Sequence, residues 1–397
     1  MDNPAPTRIV DLSTNPAGGY ATRMLATHGA EVIKIEPPGT GDPTRSLGPF
    51  ANDEPHPDRC ATSLFLDFNK KSVTLDIRRP PGRELLDRLL ARADAMIMTF
   101  APSEMDALGL AYGNLERRFP RLVVTSITPF GLTGPYRDFK ACDLVLEAMS
   151  GWLFQSGEPD RAPTRTRGEM ATAMVPGLLA ASGTLAALEW RAQSGEGQLV
   201  EIAAMEAMLA ASRYYETTYA QRGAIIRRLG TTLGPMYCYR PARDGWTALC
   251  AATDQQRELM AHLMGLSEFA VDPALQPGDN SSGNRDEITT RVNAWVRDHD
   301  RDEIFHSLQQ ARVPCGYLTR PDEVLRLEQL RAREAFVRVD HPEAGALEYP
   351  GAPFKMGVTP FQTNRAPLLG EHNREIYESE LGLTPREFEL LQQDGII

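Results

Sequence analysis

The amino-acid sequence predicts an α/β protein with a doubly wound parallel sheet and two domains. Three observations predict it. Apolar strand-like runs alternate with helical spacings from Arg8 to Gln193, the βαβ rhythm that lays helices on both faces of a parallel sheet. At 397 residues the chain is longer than one typical domain. The texture also changes near Ala220, where a basic, Gly-containing stretch begins. In order, Arg8–Leu12 (RIVDL) is a β-rich run, and residues 18–29 have helical spacing with Tyr20, Met24 and Leu25 on one face. Residues 31–35 (EVIKI) form a strand ended by Pro37-Pro38, and residues 73–77 another. Residues 81–92 form a helix with Pro near its start, residues 95–99 and 122–127 are apolar strands, and residues 143–151 and 171–193 are helical. Ala-rich residues 178–190 read as buried. Beyond residues 221–234, residues 237–251 read as a hairpin turning at Arg243-Asp244-Gly245. Helices are expected at 254–264 and 285–310, separated by a surface loop at 272–284. A linker starts near Pro321. The tail carries Pro342, Pro350, Pro353, Pro360 and Pro367 in extended segments before a last helix opened by Pro385.

Composition excludes several classes of function. A net charge of −11 with pI ≈ 5.3 argues against a nucleic-acid or anionic-membrane surface, so an anionic ligand needs a local basic cluster. The first residues, MDNPAPTRIVDL, have no basic region followed by an apolar one, and no membrane span is read from the sequence. The five cysteines are scattered without a CxxC pair and read as reduced thiols of a cytoplasmic protein. His28, His262, His299 and His306 lack ligand spacing, so no metal is assigned. Gly39–Asp42 (GTGD) lacks both the GxGxxG spacing and the lysine of a phosphate loop.

Four motifs in order, GAEVIKIEPPGTGDPTR, ITPFGLTGPY, SGEGQ and APLLGEH, make the chain resemble the class III CoA-transferases, the family of formyl-CoA transferase, carnitine CoA-transferase and α-methylacyl-CoA racemase. The resemblance runs from about Arg8 to Ile397. It implies a Rossmann-like large domain made from residues 1–220 and 326–397, a smaller α+β middle domain with linkers at 221–325, and two chains interlocked as a dimer. It implies coenzyme A and acyl-CoA as substrates, with no tightly bound cofactor. The family nucleophile is an Asp four residues before a Gly. Here the matching run is Ala173-Met174-Val175-Pro176-Gly177, and a methyl group can neither attack a thioester nor accept an acyl group.

Other family positions have changed with it. Pro16 precedes the first-loop Ala17, Cys142 stands where the racemase has His and transferases Tyr, Ala107 replaces a basic CoA contact, and Thr99-Phe100 replaces Asn-Phe. Lys70, with Lys71 beside it, keeps the CoA-phosphate position, and Ala17, Phe100 and Lys140 complete the implied CoA site. Each candidate has a plainer reading. Glu169, one helical turn before Ala173, is either a displaced nucleophile or a helix-start carboxylate. Lys70-Lys71 is either a phosphate site or a solvated basic pair. Cys142, beside Asp143, is either a thiol nucleophile or an inert buried cysteine. Arg227-Arg228 is either a contact to a partner chain or a solubilising pair. The resemblance is greatest to the Asp-lacking subunit of a benzylsuccinate-type heteromeric CoA-transferase, whose homologous partner carries the Asp. The alternatives are a self-sufficient transferase, racemase or isomerase with a displaced catalytic group, and a non-enzymatic acyl-CoA-binding protein.

Overall fold

The computed structural model describes residues 6–165, 169–211, 215–277, 279 and 281–397, with residues 169–171 by backbone alone. It divides into two units, Met1–Trp152 with Arg165–Tyr214 and Arg331–Ile397, and Leu153–Thr164 with Tyr215–Leu330.

The first unit opens with β1 (Arg8–Leu12), α1 (Pro16–Ala26), β2 (Glu31–Glu36), α2 (Ala61–Leu66), β3 (Lys71–Thr74) and α3 (Pro80–Leu90). It continues with β4 (Ala95–Met98), α4 (Pro102–Ala107), α5 (Tyr112–Arg118), β5 (Val123–Thr128) and α6 (Asp143–Met149). After the short α7 (Trp152–Gln155) come α8 (Glu169–Ser194), β6 (Leu199–Ala203) and α9 (Ala204–Ala211). The six strands are parallel in the order β3-β2-β1-β4-β5-β6. Strand side chains alternate between faces. Val10, Ile33, Val73 and Met96 pack on one side with Leu85, Leu86 and Leu89 of α3. Ile9, Val32, Ile97 and Val123 pack on the other with Ala21 and Leu25 of α1 and Ala180 and Ala187 of α8.

Helix α8 corrects one expectation. Its inward Ala180, Ala181 and Ala187 are buried, but Leu178, Leu179, Leu185 and Trp190 are exposed. The buried stripe is made of alanines because α1 and the sheet approach closely; the large residues fall on the outer face. Thr172–Ser194 also has the length and apolarity of a membrane span, although in this structure its alanine stripe faces protein.

The second unit contains α10 (Tyr215–Arg222), then β7 (Thr232–Gly234), β8 (Tyr237–Pro241), β9 (Trp246–Cys250) and, further on, β10 (Cys315–Tyr317), in an antiparallel sheet ordered β10-β9-β8-β7. Helices α11 (Asp254–Leu263), α12 (Arg285–Arg297) and α13 (Arg301–Gln310) close its core around Met236, Leu249, Met260, Val292 and Ile304. The single helix expected over 285–310 is two. The Glu303 carboxylate accepts the Asp300 N–H at 2.9 Å, which restarts the helix after Asp298-His299. Residues 153–164, expected within the 1–220 segment, belong to this unit. The Arg228 guanidinium donates to the carbonyls of Phe154, Glu158 and Arg161 at 3.0, 3.1 and 3.2 Å, while the Glu158 carboxylate accepts from the Thr231 N–H and hydroxyl.

Two short helices, α14 (Pro321–Val324) and α15 (Glu328–Ala332), lead to a hairpin that the sequence pattern does not predict, β11 (Phe336–His341) and β12 (Gly345–Pro350), with Val337 opposite Tyr349. The hairpin already belongs to the first unit, and the chain after it runs along the β3 side of that unit's sheet. The Tyr377 hydroxyl donates to Thr74 O at 2.9 Å, the Asp76 N–H to Ile396 O at 2.8 Å, and Phe388 of α16 (Pro385–Gln393) joins the core.

Candidate active site

A doubly wound sheet binds ligands at the carboxyl ends of the two strands where the order reverses. Here those are β1 and β4. The crevice is bounded by the Ser13–Pro16 turn and by Thr99-Phe100, joined through the Thr14 N–H to Thr99 Oγ1 at 2.8 Å. Gly18 allows this closeness, since a Cβ there would lie 2.2 Å from Ser13 Cβ and 2.8 Å from Thr99 Cγ2. Asn15 caps α1, its Oδ1 accepting from the N–H groups of Ala17 at 3.0 Å and Gly18 at 3.2 Å. Those amides are therefore satisfied within the chain, unlike the open helix N-terminus that holds a pyrophosphate in dinucleotide-binding folds.

Helix α8 crosses α1 at this point. A Cβ on Gly177 would lie 2.7 Å from Ala17 O. One turn earlier Ala173 is 8% exposed and packs in the cluster of Ala17, Tyr20 and Ala21. The structure thus brings together Ala17 and Ala173. The preceding Thr172 donates its hydroxyl to the Asp143 carboxylate at the start of α6, beside exposed Cys142. Cys142 is therefore not the inert buried thiol of the plainer reading. Phe100 is buried in the cluster on the opposite sheet face. Lys140 is exposed, without an ion pair among the described residues. It follows an aromatic ladder in which Tyr136 stacks on Phe139 with centroids 5.0 Å apart and meets Phe130 edge-on at 5.9 Å. Ala107 is exposed at the end of α4. Glu169 opens α8, but its side chain lies outside the described residues.

The two lysines at the expected CoA-phosphate position are placed differently from that expectation. The Lys70 side chain is fully buried, and its ammonium donates to Asp67 Oδ1 at 2.9 Å, Asp11 Oδ2 at 3.1 Å and Gly19 O at 3.2 Å. It presents no donor to a phosphate. Lys71 points to the other side and pairs with Glu31 and Glu375, each at 2.7 Å, tying the C-terminal segment to the sheet. Lys70 closes the turn before β3, its N–H donating to Asp67 O at 3.2 Å, while Lys71 opens the strand, so the pair divides into a buried member and a half-buried one.

Around Lys70 lies a network absent from the expected site. Four buried carboxylates (Asp11, Glu36, Asp42, Asp67) meet three buried cations (Lys34, Arg45, Lys70). Its signal in the sequence is a charge inside an otherwise apolar strand, Asp11 in RIVDL and Lys34 in EVIKI, because a group so placed is buried and must be paired. Burial pushes the Asp11 carboxyl up. The Lys70 and Lys34 ammoniums, with hydrogen bonds from Ser13 and Thr22, more than offset this and hold it at about 2. A depressed folded value stabilises above the unfolded pKa of about 3.9 and is lost as pH falls toward 2. The stability advantage of the native chain over Asp11→Asn is therefore expected to shrink by roughly 1 kcal/mol between pH 6 and pH 3 in urea titrations. A pH-independent difference would refute the assignment. Among the described residues no cluster of His, Cys, Asp and Glu could hold a metal ion.

The structure thus has a doubly wound sheet with a crevice at its switch point, and helix α8 packs on α1 beside that crevice. The chain belongs to CoA-transferase family III, whose pattern matches residues 5–373. It is 32% identical to the succinyl-CoA–D-citramalate CoA-transferase of Chloroflexus aurantiacus over 394 residues, spanning 98% of this chain and 97% of that protein. It is 31% identical to subunit BbsE of the succinyl-CoA:(R)-benzylsuccinate CoA-transferase of Thauera aromatica over 388 residues, spanning 93% of this chain and 92% of that subunit. A solved CAIB/BAIF family protein from Brucella suis superposes with a TM-score of 0.83 at 28% identity, covering 96% of this chain and all of that one.

Proposed function

We propose that this chain is the non-catalytic subunit of a heteromeric class III CoA-transferase. The observation that carries the reading is Ala173, buried against Ala17 and Tyr20 where the family nucleophile belongs. The complex moves CoA from an acyl-CoA donor, succinyl-CoA as in the names of the C. aurantiacus and T. aromatica relatives, to a carboxylic acid such as an aryl- or alkylsuccinate. In the partner chain an Asp attacks the donor thioester carbonyl and expels CoA thiolate, leaving an acyl-enzyme anhydride. The thiolate attacks the enzyme carbonyl of that anhydride, releases the donor acid as carboxylate and leaves an enzyme thioester. The acceptor carboxylate then attacks the enzyme thioester carbonyl and expels CoA thiolate, forming a second mixed anhydride, and that thiolate attacks the acceptor carbonyl to give the new acyl-CoA and free the Asp. This chain interlocks with that partner in the cytoplasm and completes its cleft.

Two measurements test the reading. Native purification followed by mass spectrometry is expected to recover a homologous, Asp-bearing chain. The isolated chain, given a panel of acyl-CoAs and hydroxylamine, is expected to yield no trapped acyl-enzyme. An adduct on Glu169 or Asp143 would show a displaced nucleophile, and a monodisperse, active preparation of this chain alone would remove the heteromer.

A further inference from the structure

The Ser13–Pro16 turn, which carries Ala17 beneath α8, is anchored to the core through Asp11. Asp11 Oδ1 accepts the Ser13 N–H at 2.9 Å and the Ser13 hydroxyl at 2.5 Å, and Asp11 Oδ2 accepts the Thr22 hydroxyl at 2.7 Å. One carboxylate thus binds the residue before the turn's apex and a residue on the first helix after it. The Lys70 ammonium holds that carboxylate and also the Gly19 carbonyl. Lys70 therefore ties both sides of the turn to the floor of the sheet, while Asp67 Oδ1 at 2.9 Å fixes the ammonium from below. Lys34 reinforces it, with its Nζ 3.5 Å from Ser13 O and 3.2 Å from Asp42 Oδ2.

The turn is the lip of the crevice, and Ala17 O sits against Gly177, one turn of helix from Ala173. We infer that Lys70 is a positioning residue, a buried ammonium that fixes the backbone of Ser13–Ala17 for the acyl-CoA ligand without touching it. The ligand part of this inference rests on the acyl-CoA reading above; the clamp itself rests on the contacts alone. An ammonium suits this task. It has three donors, all engaged in this clamp, and a buried charge that loses its partners is costly enough to keep the arrangement in one state.

The test compares the full chain, as it purifies with any partner, with Lys70→Met, Asp11→Asn and Lys71→Met, each first shown to be folded. Asp11→Asn keeps the shape of the side chain and covers the case in which Lys70→Met does not fold. Lys71→Met is the control, since it removes a lysine and its ion pairs with Glu31, Glu375 and Glu380 on the outer side without touching the turn. Amide hydrogen exchange is expected to accelerate at least roughly tenfold over residues 13–19 in Lys70→Met and Asp11→Asn, relative to Lys71→Met. Free CoA, titrated by calorimetry, is expected to bind those two variants roughly tenfold more weakly with an unchanged dependence on salt, because the phosphate contacts remain. Equal exchange in all three variants overturns the clamp. A Lys70→Met protein that loses CoA affinity and its salt dependence while the turn stays protected would show a direct phosphate contact instead. Absence of CoA binding to the native protein would sink the acyl-CoA reading alone, and the exchange data would still decide the clamp.

Discussion

Arg45→Met is expected to lower the unfolding free energy by about 3–5 kcal/mol, because it strands a buried carboxylate without its counter-ion. The guanidinium grips Glu36 with two parallel bonds, Nε to Oε2 at 2.6 Å and Nη2 to Oε1 at 2.8 Å, and reaches Asp58 at 2.8 Å. Both ends of the pair are buried, and Glu36 accepts further bonds from Ser72 Oγ and the Asp42 N–H. Methionine fills much of the volume, but Glu36 stays behind as an uncompensated charge. The loss is desolvation, not attraction forgone, so Glu36→Gln in the same chain should recover part of it. Arg320→Met removes an exposed, solvent-screened pair with Asp322 and should leave stability almost unchanged. Urea midpoints of the three variants decide the matter, and an Arg45→Met midpoint no lower than that of Arg320→Met would mean that the buried network contributes nothing to stability.

The same network explains what is legible in the sequence and what is not. Strand and helix placement along β1 to β5 follows from apolar period and from Pro and Gly at the ends, signals local to each segment. The hairpin of Phe336–His341 and Gly345–Pro350 escapes a sequence pattern because prolines at 342, 350 and 353 mask it, and because its inner face is completed by residues far away, such as Phe68 against Tyr349 at 4.9 Å. The phosphate role expected of Lys70 fails because nothing in a Lys-Lys pair tells which member faces inward. That choice depends on distant partners, Asp11 for Lys70 and Glu31 and Glu375 for Lys71, a long-range fact. Asp11 and Lys34 are readable in principle as charges in apolar strands, but their partners at 42, 67 and 70 are not, since the loops that bring them together carry no periodic signal. Ala173 is the converse case. It is read from four residues of spacing to Gly177, and in the structure Gly177 is where α8 touches the Ala17 carbonyl, with Ala173 one turn earlier packed beside Ala17 and Tyr20.

That geometry sets the outcome of restoring the carboxylate. In the proposed heteromer, replacing the nucleophilic Asp of the proposed partner by Ala is expected to reduce turnover by more than roughly a thousandfold, because the covalent route is lost outright. Ala173→Asp in this chain is not expected to create a second full active site. The new carboxylate would enter a site that is 8% exposed and lined by Ala17, Tyr20 and Ala21, where an unpaired charge is costly and the neutral form is favoured. The neighbouring residue, Thr172, already holds the Asp143 carboxylate, and a second negative charge nearby raises the new group's pKa further. Pro16, Cys142 and Ala107, which on the proposed reading replace polar or basic groups of the family, would be left as they are by the change. Steady-state kinetics with succinyl-CoA on the partner variant, on Ala173→Asp in the complex and on the Ala173→Asp chain alone separate the cases. Robust turnover by the Ala173→Asp chain alone would mean that a single methyl-for-carboxylate exchange silenced an otherwise intact cleft, and that the changes at 16, 107 and 142 are neutral to catalysis.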